Sequence, residues 1–77
     1  MKSYVLDANL QQEEDGRWSA WIAALPGCAA WGYSKQEALG ALTDAAELYI
    51  EDMIEEGKEI PAEGVQVVES PVVAVNL

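Results

Sequence analysis

The stretch SKQEALGALTDAAELYIEDMIEEG, residues 34–57, decides the architecture. It opens on Ser34-Lys35-Gln36-Glu37, a capping box in which a serine hydroxyl satisfies free helix amides and a glutamate three residues on reaches back. It closes on Gly57, a common helix terminator, and Pro61 beyond it cannot continue a helix. The spacing predicts a helix from Lys35 to Glu56, about 33 Å long at roughly 1.5 Å per residue. Its polar stripe is Glu37, Gly40, Asp44, Glu47, Glu51 and Glu55, in steps of three and four. Most other positions are Ala, Leu, Ile, Met or Tyr. That is more apolar surface than a helix needs to sit on one sheet. Two readings stay open: the excess covers another subunit, or a small core wraps deeply around the helix.

The residues before the helix alternate with period two. Tyr4, Leu6, Ala8 and Leu10 share one face and Val5, Asp7 and Asn9 the other, so residues 4–12 predict a half-buried strand. Asp15-Gly16 is a hairpin signal. Residues 17–24 form the second strand, with Trp18, Ala20, Ile22 and Ala24 on one face and Arg17, Ser19, Trp21 and Ala23 on the other. A tryptophan on each face points to a central strand covered, at least in part, on both sides. Pro26-Gly27 marks a tight turn, and Cys28–Trp31 a short third strand.

After the helix, residues 58–64 are expected to be a loop and Val65–Val68 a strand. Pro71 interrupts the pattern before Val72–Val75, which suggests an edge or a bend. The order β-β-β-α-β specifies an α+β domain, an antiparallel sheet with one long helix across it in two layers. The 77 residues make one domain. A chain this short buries only about 60% of its unfolded surface, so self-association or partner binding would help it.

Four basic and fourteen acidic residues give a net charge of −10. Residues 34–64 hold nine acids against Lys35 and Lys58, a local −7. Such a chain repels phosphate backbones, which disfavours direct nucleic-acid binding and favours a basic protein as partner. Solubility alone also explains acidic surfaces. Cys28 is the single cysteine, so no internal disulfide is possible, in keeping with a cytoplasmic protein. The N-terminus lacks a signal-peptide pattern, and no apolar run approaches the roughly 20 residues of a membrane helix.

Histidine is absent, which removes the commonest general base and metal ligand. No Ser-His or Cys-His pair can form. No glycine-rich phosphate loop is present. Cys28 has no Lys or Arg near it in sequence to activate a thiolate and reads as a small buried residue. Glu51, Asp52, Glu55 and Glu56 could be imagined as a divalent-metal site, but solvated helix carboxylates are the simpler reading. Their place is unusual all the same. They crowd the negative end of the helix dipole, where each exposed acid costs about 0.3–1 kcal/mol. Attraction to a basic partner or solubility would favour them there. Gly40 is also unfavourable inside a helix, by about 1 kcal/mol against alanine.

Three fragments, Asp15-Gly16-Arg17-Trp18-Ser19-Ala20-Trp21, Leu25-Pro26-Gly27-Cys28 and Trp31-Gly32-Tyr33-Ser34-Lys35-Gln36-Glu37-Ala38-Leu39, together resemble the HicB-like antitoxin family. Ala45-Ala46-Glu47-Leu48-Tyr49 and Gly57-Lys58-Glu59-Ile60-Pro61 extend the resemblance, which covers residues 4–61. It implies a partial ribonuclease-H-like fold and a protein-binding function: capture of a small, basic, mRNA-cleaving toxin (HicA-like) and blockage of its active site. Many members continue into a DNA-binding domain. Nothing in residues 1–77 reads as one, so a stand-alone domain is expected.

The sequence thus predicts an antitoxin-like binding module without catalysis or cofactor of its own. The candidate partner-binding residues are Glu47, Glu51, Asp52, Glu55 and Glu56, with Trp21, Trp31 and Tyr33 as aromatic anchors. A homo-oligomer is expected, paired through the last strand or the broad helix face. Two alternatives are a purely structural homo-oligomer and a metal-dependent nuclease remnant built around Asp7.

Overall fold

The computed structural model describes residues 3–60 and 72–76. Five strands and one helix follow in order: β1 (Ser3–Asp7), β2 (Asn9–Gln12), β3 (Trp18–Trp21), β4 (Ala29–Gly32), α1 (Lys35–Glu55) and β5 (Val72–Asn76). All pairings are antiparallel. β3 is flanked by β2 and β4, and β1 pairs with β5. The α+β architecture is the expected one. The predicted strand at Val65–Val68 and the interruption at Pro71 lie outside the described residues.

The long first strand divides. Its register passes from Asp7 opposite Val72 to Asn9 opposite Trp21, with Ala8 between. The side-chain alternation runs through the division unbroken. Leu6 and Ala8 are buried, and Tyr4 and Leu10 pack against the core. One amphipathic run therefore serves two partners, a choice its pattern alone does not reveal.

The second strand is shorter than predicted, ending at Trp21 instead of residue 24. Two successive turns replace its last residues. The Leu25 amide donates to the Ile22 carbonyl at 3.0 Å, and the Cys28 amide to the Leu25 carbonyl at 2.9 Å. Pro26 and Gly27, the latter at φ 84°, hold the two central positions of the second turn. A proline followed by a positive-φ glycine suits a type II turn. Ala24 is consequently exposed, and Leu25 takes the core position expected of it.

Ser34 caps α1 as read, accepting from the Glu37 amide at 3.1 Å. At the other end the Lys58 amide reaches the Met53 carbonyl and the Gly57 amide the Ile54 carbonyl. With Gly57 at φ 72°, this is a Schellman termination. Ala38, Leu42, Ala46 and Ile50 form a fully buried row of four-residue steps. Leu39, Ala45, Tyr49 and Met53 flank it. The row packs on β3, β4 and β5. Leu48 and Ile54 stay about half exposed or more, so the core does not wrap the whole apolar surface of the helix.

Candidate protein-binding site

The core-facing residues of the sheet fix where the candidate side chains point. Ala20 is buried, Trp18 and Ala30 pack against the core, and Gly32 lies against α1. Alternation then sends Ser19, Trp21 and Trp31 to the opposite face. The candidate residues therefore fall on two surfaces with the sheet between them.

The first surface is the outer side of α1. Glu51, Asp52, Glu55 and Glu56 are exposed and Glu47 half-buried. No basic residue lies in the last turn. Lys58, just beyond it, binds Glu56 at 2.8 Å, and that hydrogen bond raises the ammonium's pKa. Both groups sit in water, so the pair contributes little stability. The side chains of Glu47, Glu51, Asp52 and Glu55 have no hydrogen bond or ion pair among those between described residues. The result is a negative surface that fits ammonium or guanidinium groups of a partner.

The second surface lies across the sheet. Trp31 and Tyr33 meet edge to face, with ring centroids 5.3 Å apart. They are 52% and 71% exposed, whereas Trp21 is half-buried. The Arg17 guanidinium stands 5.2 Å from the centroid of Trp31 and binds Asp15 through Nε at 2.6 Å. Asp15 also accepts from the Arg17 backbone amide at 3.0 Å. That backbone bond leads the causes that hold the Asp15 carboxyl below its ordinary pKa. Gln11, Gln12, Glu13, Glu14 and Ser19 complete an open cleft of about 680 Å³ beside Trp31. Sequence reasoning missed Arg17. The available signal was the antiparallel register of β3 and β4, which sets Ser19 opposite Trp31 and so puts Arg17 nearby.

Asp7, the residue on which a nuclease reading would turn, is exposed at the end of β1 on the sheet face away from α1. The helix carboxylates lie on the other side. Among the described residues no group of three His, Cys, Asp or Glu side chains is arranged to hold a metal ion. Cys28 is buried, and burial pushes its thiol pKa up, away from the reactive thiolate. No helix of the described residues is long and apolar enough to cross a membrane.

A capped amphipathic helix laid over one face of an antiparallel sheet, acidic outside and aromatic on the far face, defines a class of two-layer α+β domain. Its fold is that of the N-terminal domain of the Burkholderia pseudomallei antitoxin HicB. The TM-score is 0.68 at 14% identity, over 99% of this chain and 98% of that one. The B. pseudomallei antitoxin HicB itself matches with TM-score 0.66 at 15% identity, and the alignment spans all of this chain and 64% of that one. Two UPF0150 proteins are similar in sequence. That of Synechocystis sp. is 41% identical over 54 residues, 70% of this chain and 68% of the relative. That of Thermoplasma acidophilum is 33% identical over 57 residues, 74% and 83% of the two chains. The family model for the HicB-like antitoxin of bacterial toxin–antitoxin systems matches residues 6–72. The chain belongs to the HicB-like antitoxin family.

Proposed function

We propose that this chain is a protein-binding antitoxin module that captures a small, basic, mRNA-cleaving toxin of the HicA-like kind and covers its active site. The observation that carries this reading is the exposed carboxylate surface at the C-terminal half of α1, in a chain of this family. Helix electrostatics disfavours acids at that end. A basic partner compensates by pairing with them, and the field of a chain at −10 steers such a partner during encounter. In this reading the chain performs no catalysis and leaves nucleic acid to its partner.

The aromatic surface has a different occupant. A small toxin seated on the outer side of α1 does not reach Trp31 and Tyr33 across the sheet. Most described acids are on or next to α1, whereas the far face has the smaller set Asp7, Glu13, Glu14 and Asp15 with Arg17 among them. A second copy of the chain can approach there with its acidic helix turned outward. The homo-oligomer is accordingly assigned to the open sheet face, not to the helix.

The test is binding to a purified small basic toxin of the HicA-like kind. Replacing Glu51→Lys and Glu55→Lys together should weaken capture about tenfold or more at low salt, and the difference should shrink as salt rises. Capture unchanged by the double substitution would remove the acidic surface from the reading.

A further inference from the structure

On the acidic side of α1 one residue does not belong to the charge pattern. Leu48 is 67% exposed, the most exposed of the large aliphatic side chains in the described residues. It lies away from the buried Ala38, Leu42, Ala46 and Ile50 row and is absent from the core and from the partly buried residues packed on it. Helix geometry supplies its neighbours. Positions three and four apart share a face, which sets Asp44, Glu51 and Asp52 next to Leu48 and Glu55 one turn further on. All four are exposed. Ala41 and Ala45, on its remaining side, are short and leave it standing above the helix surface.

A lone exposed leucine is ordinary. A leucine flanked by three carboxylates, with a fourth one turn on, has the layout of an interface centre, an apolar anchor beside a polar rim. We infer that Leu48 is the apolar anchor of the toxin-binding surface, and that the partner offers an apolar socket rimmed by Lys or Arg side chains. This rests on the reading above that the acidic side of α1 captures a basic protein, and it adds what that reading lacks. Exposed charges steer and orient, and they raise the association rate. Burial of an apolar side chain holds the complex together and slows dissociation. These carboxylates also disfavour a second copy of this chain on the same surface, because like charges would meet across the contact.

Leu48→Ala tests this cleanly. The side chain takes no part in the core, and alanine is the strongest helix former, so the variant should fold with unchanged Tm. Its binding to the same purified toxin, measured by surface plasmon resonance, should weaken about tenfold or more, mainly through faster dissociation. The slope of affinity against salt should match the wild type, unlike that of the Glu51→Lys, Glu55→Lys variant. Gln36→Ala, at an exposed position in the first turn of α1, should bind that toxin as the wild type does. Equal affinity for Leu48→Ala and wild type overturns the anchor while leaving the acidic-surface reading intact. Failure of the wild type to bind at all overturns both.

Discussion

Gly32 and Ala38 touch backbone to backbone: a Cβ added at Gly32 would lie 2.6 Å from the Ala38 amide nitrogen and 2.9 Å from the Glu37 carbonyl carbon. Gly32 ends β4, Ser34 caps the helix, and Ala38 begins the buried row of α1. The chain reverses from strand to helix within two residues, Tyr33 and Ser34. Only a residue without a side chain fits where the first helical turn lies over its own entry strand.

Gly32→Ala should therefore destabilise the domain by about 1–3 kcal/mol, because the atoms in the way are mostly backbone and cannot rotate aside. Gly40→Ala should do the opposite. Nothing lies within 4 Å of a Cβ there, and the exposed helix interior would gain about 0.5–1 kcal/mol. Urea unfolding of the two variants should move the midpoint in opposite directions.

Tyr49 Oη donates to the Pro26 carbonyl at 2.8 Å, tying the middle of α1 to the double turn after β3. Tyr49→Phe keeps the ring and removes that bond, so it should cost about 0.5–1 kcal/mol, the lower part of the usual range because the bond is exposed. Hydrogen exchange should quicken most at the Cys28 and Leu25 amides, which hold the double turn. A loss spread evenly over the chain would show that the tie is not local.

The Asp15 carboxyl is held below its ordinary pKa, first by the Arg17 backbone amide and then by the Arg17 side chain. A depressed folded pKa contributes stability that is present above the unfolded pKa and lost as pH falls through the folded one. The Arg17 amide resonance should accordingly titrate with a midpoint below that of a free aspartate. Asp15→Asn should abolish the titration. Both groups are well exposed, so global stability should change little.

Cys28 is 4% exposed and its thiol pKa is raised by burial. A disulfide reagent at pH 7.5 should modify it slowly in the native chain and rapidly in urea. Fast native labelling would mean that the double turn opens readily.

Much of the fold was legible because local rules and tertiary packing agree. The cap at Ser34, the stop at Gly57 and the alternation of Tyr4, Leu6, Ala8 and Leu10 were all readable from spacing and all recur in the structure. The end of β3 was not, because Ile22, Ala23 and Ala24 continue the alternation although a turn begins there. Leu25 rather than Ala24 fills the core, and only the larger side chain reaches it from the turn. Leu48 was counted as one more apolar helix residue, since composition does not say which apolar positions the sheet leaves uncovered.

By itself, the order of residues determined the element types, the helix ends, the −10 charge and the absence of histidine. These follow from short-range sterics, periodicity and counting. Only the tertiary structure decided that the helix acids and the exposed aromatics stand on opposite sides of the sheet, and that a single leucine is left standing among the helix acids. Which surface a side chain joins depends on where the sheet receives the helix, a long-range packing choice that no local spacing encodes.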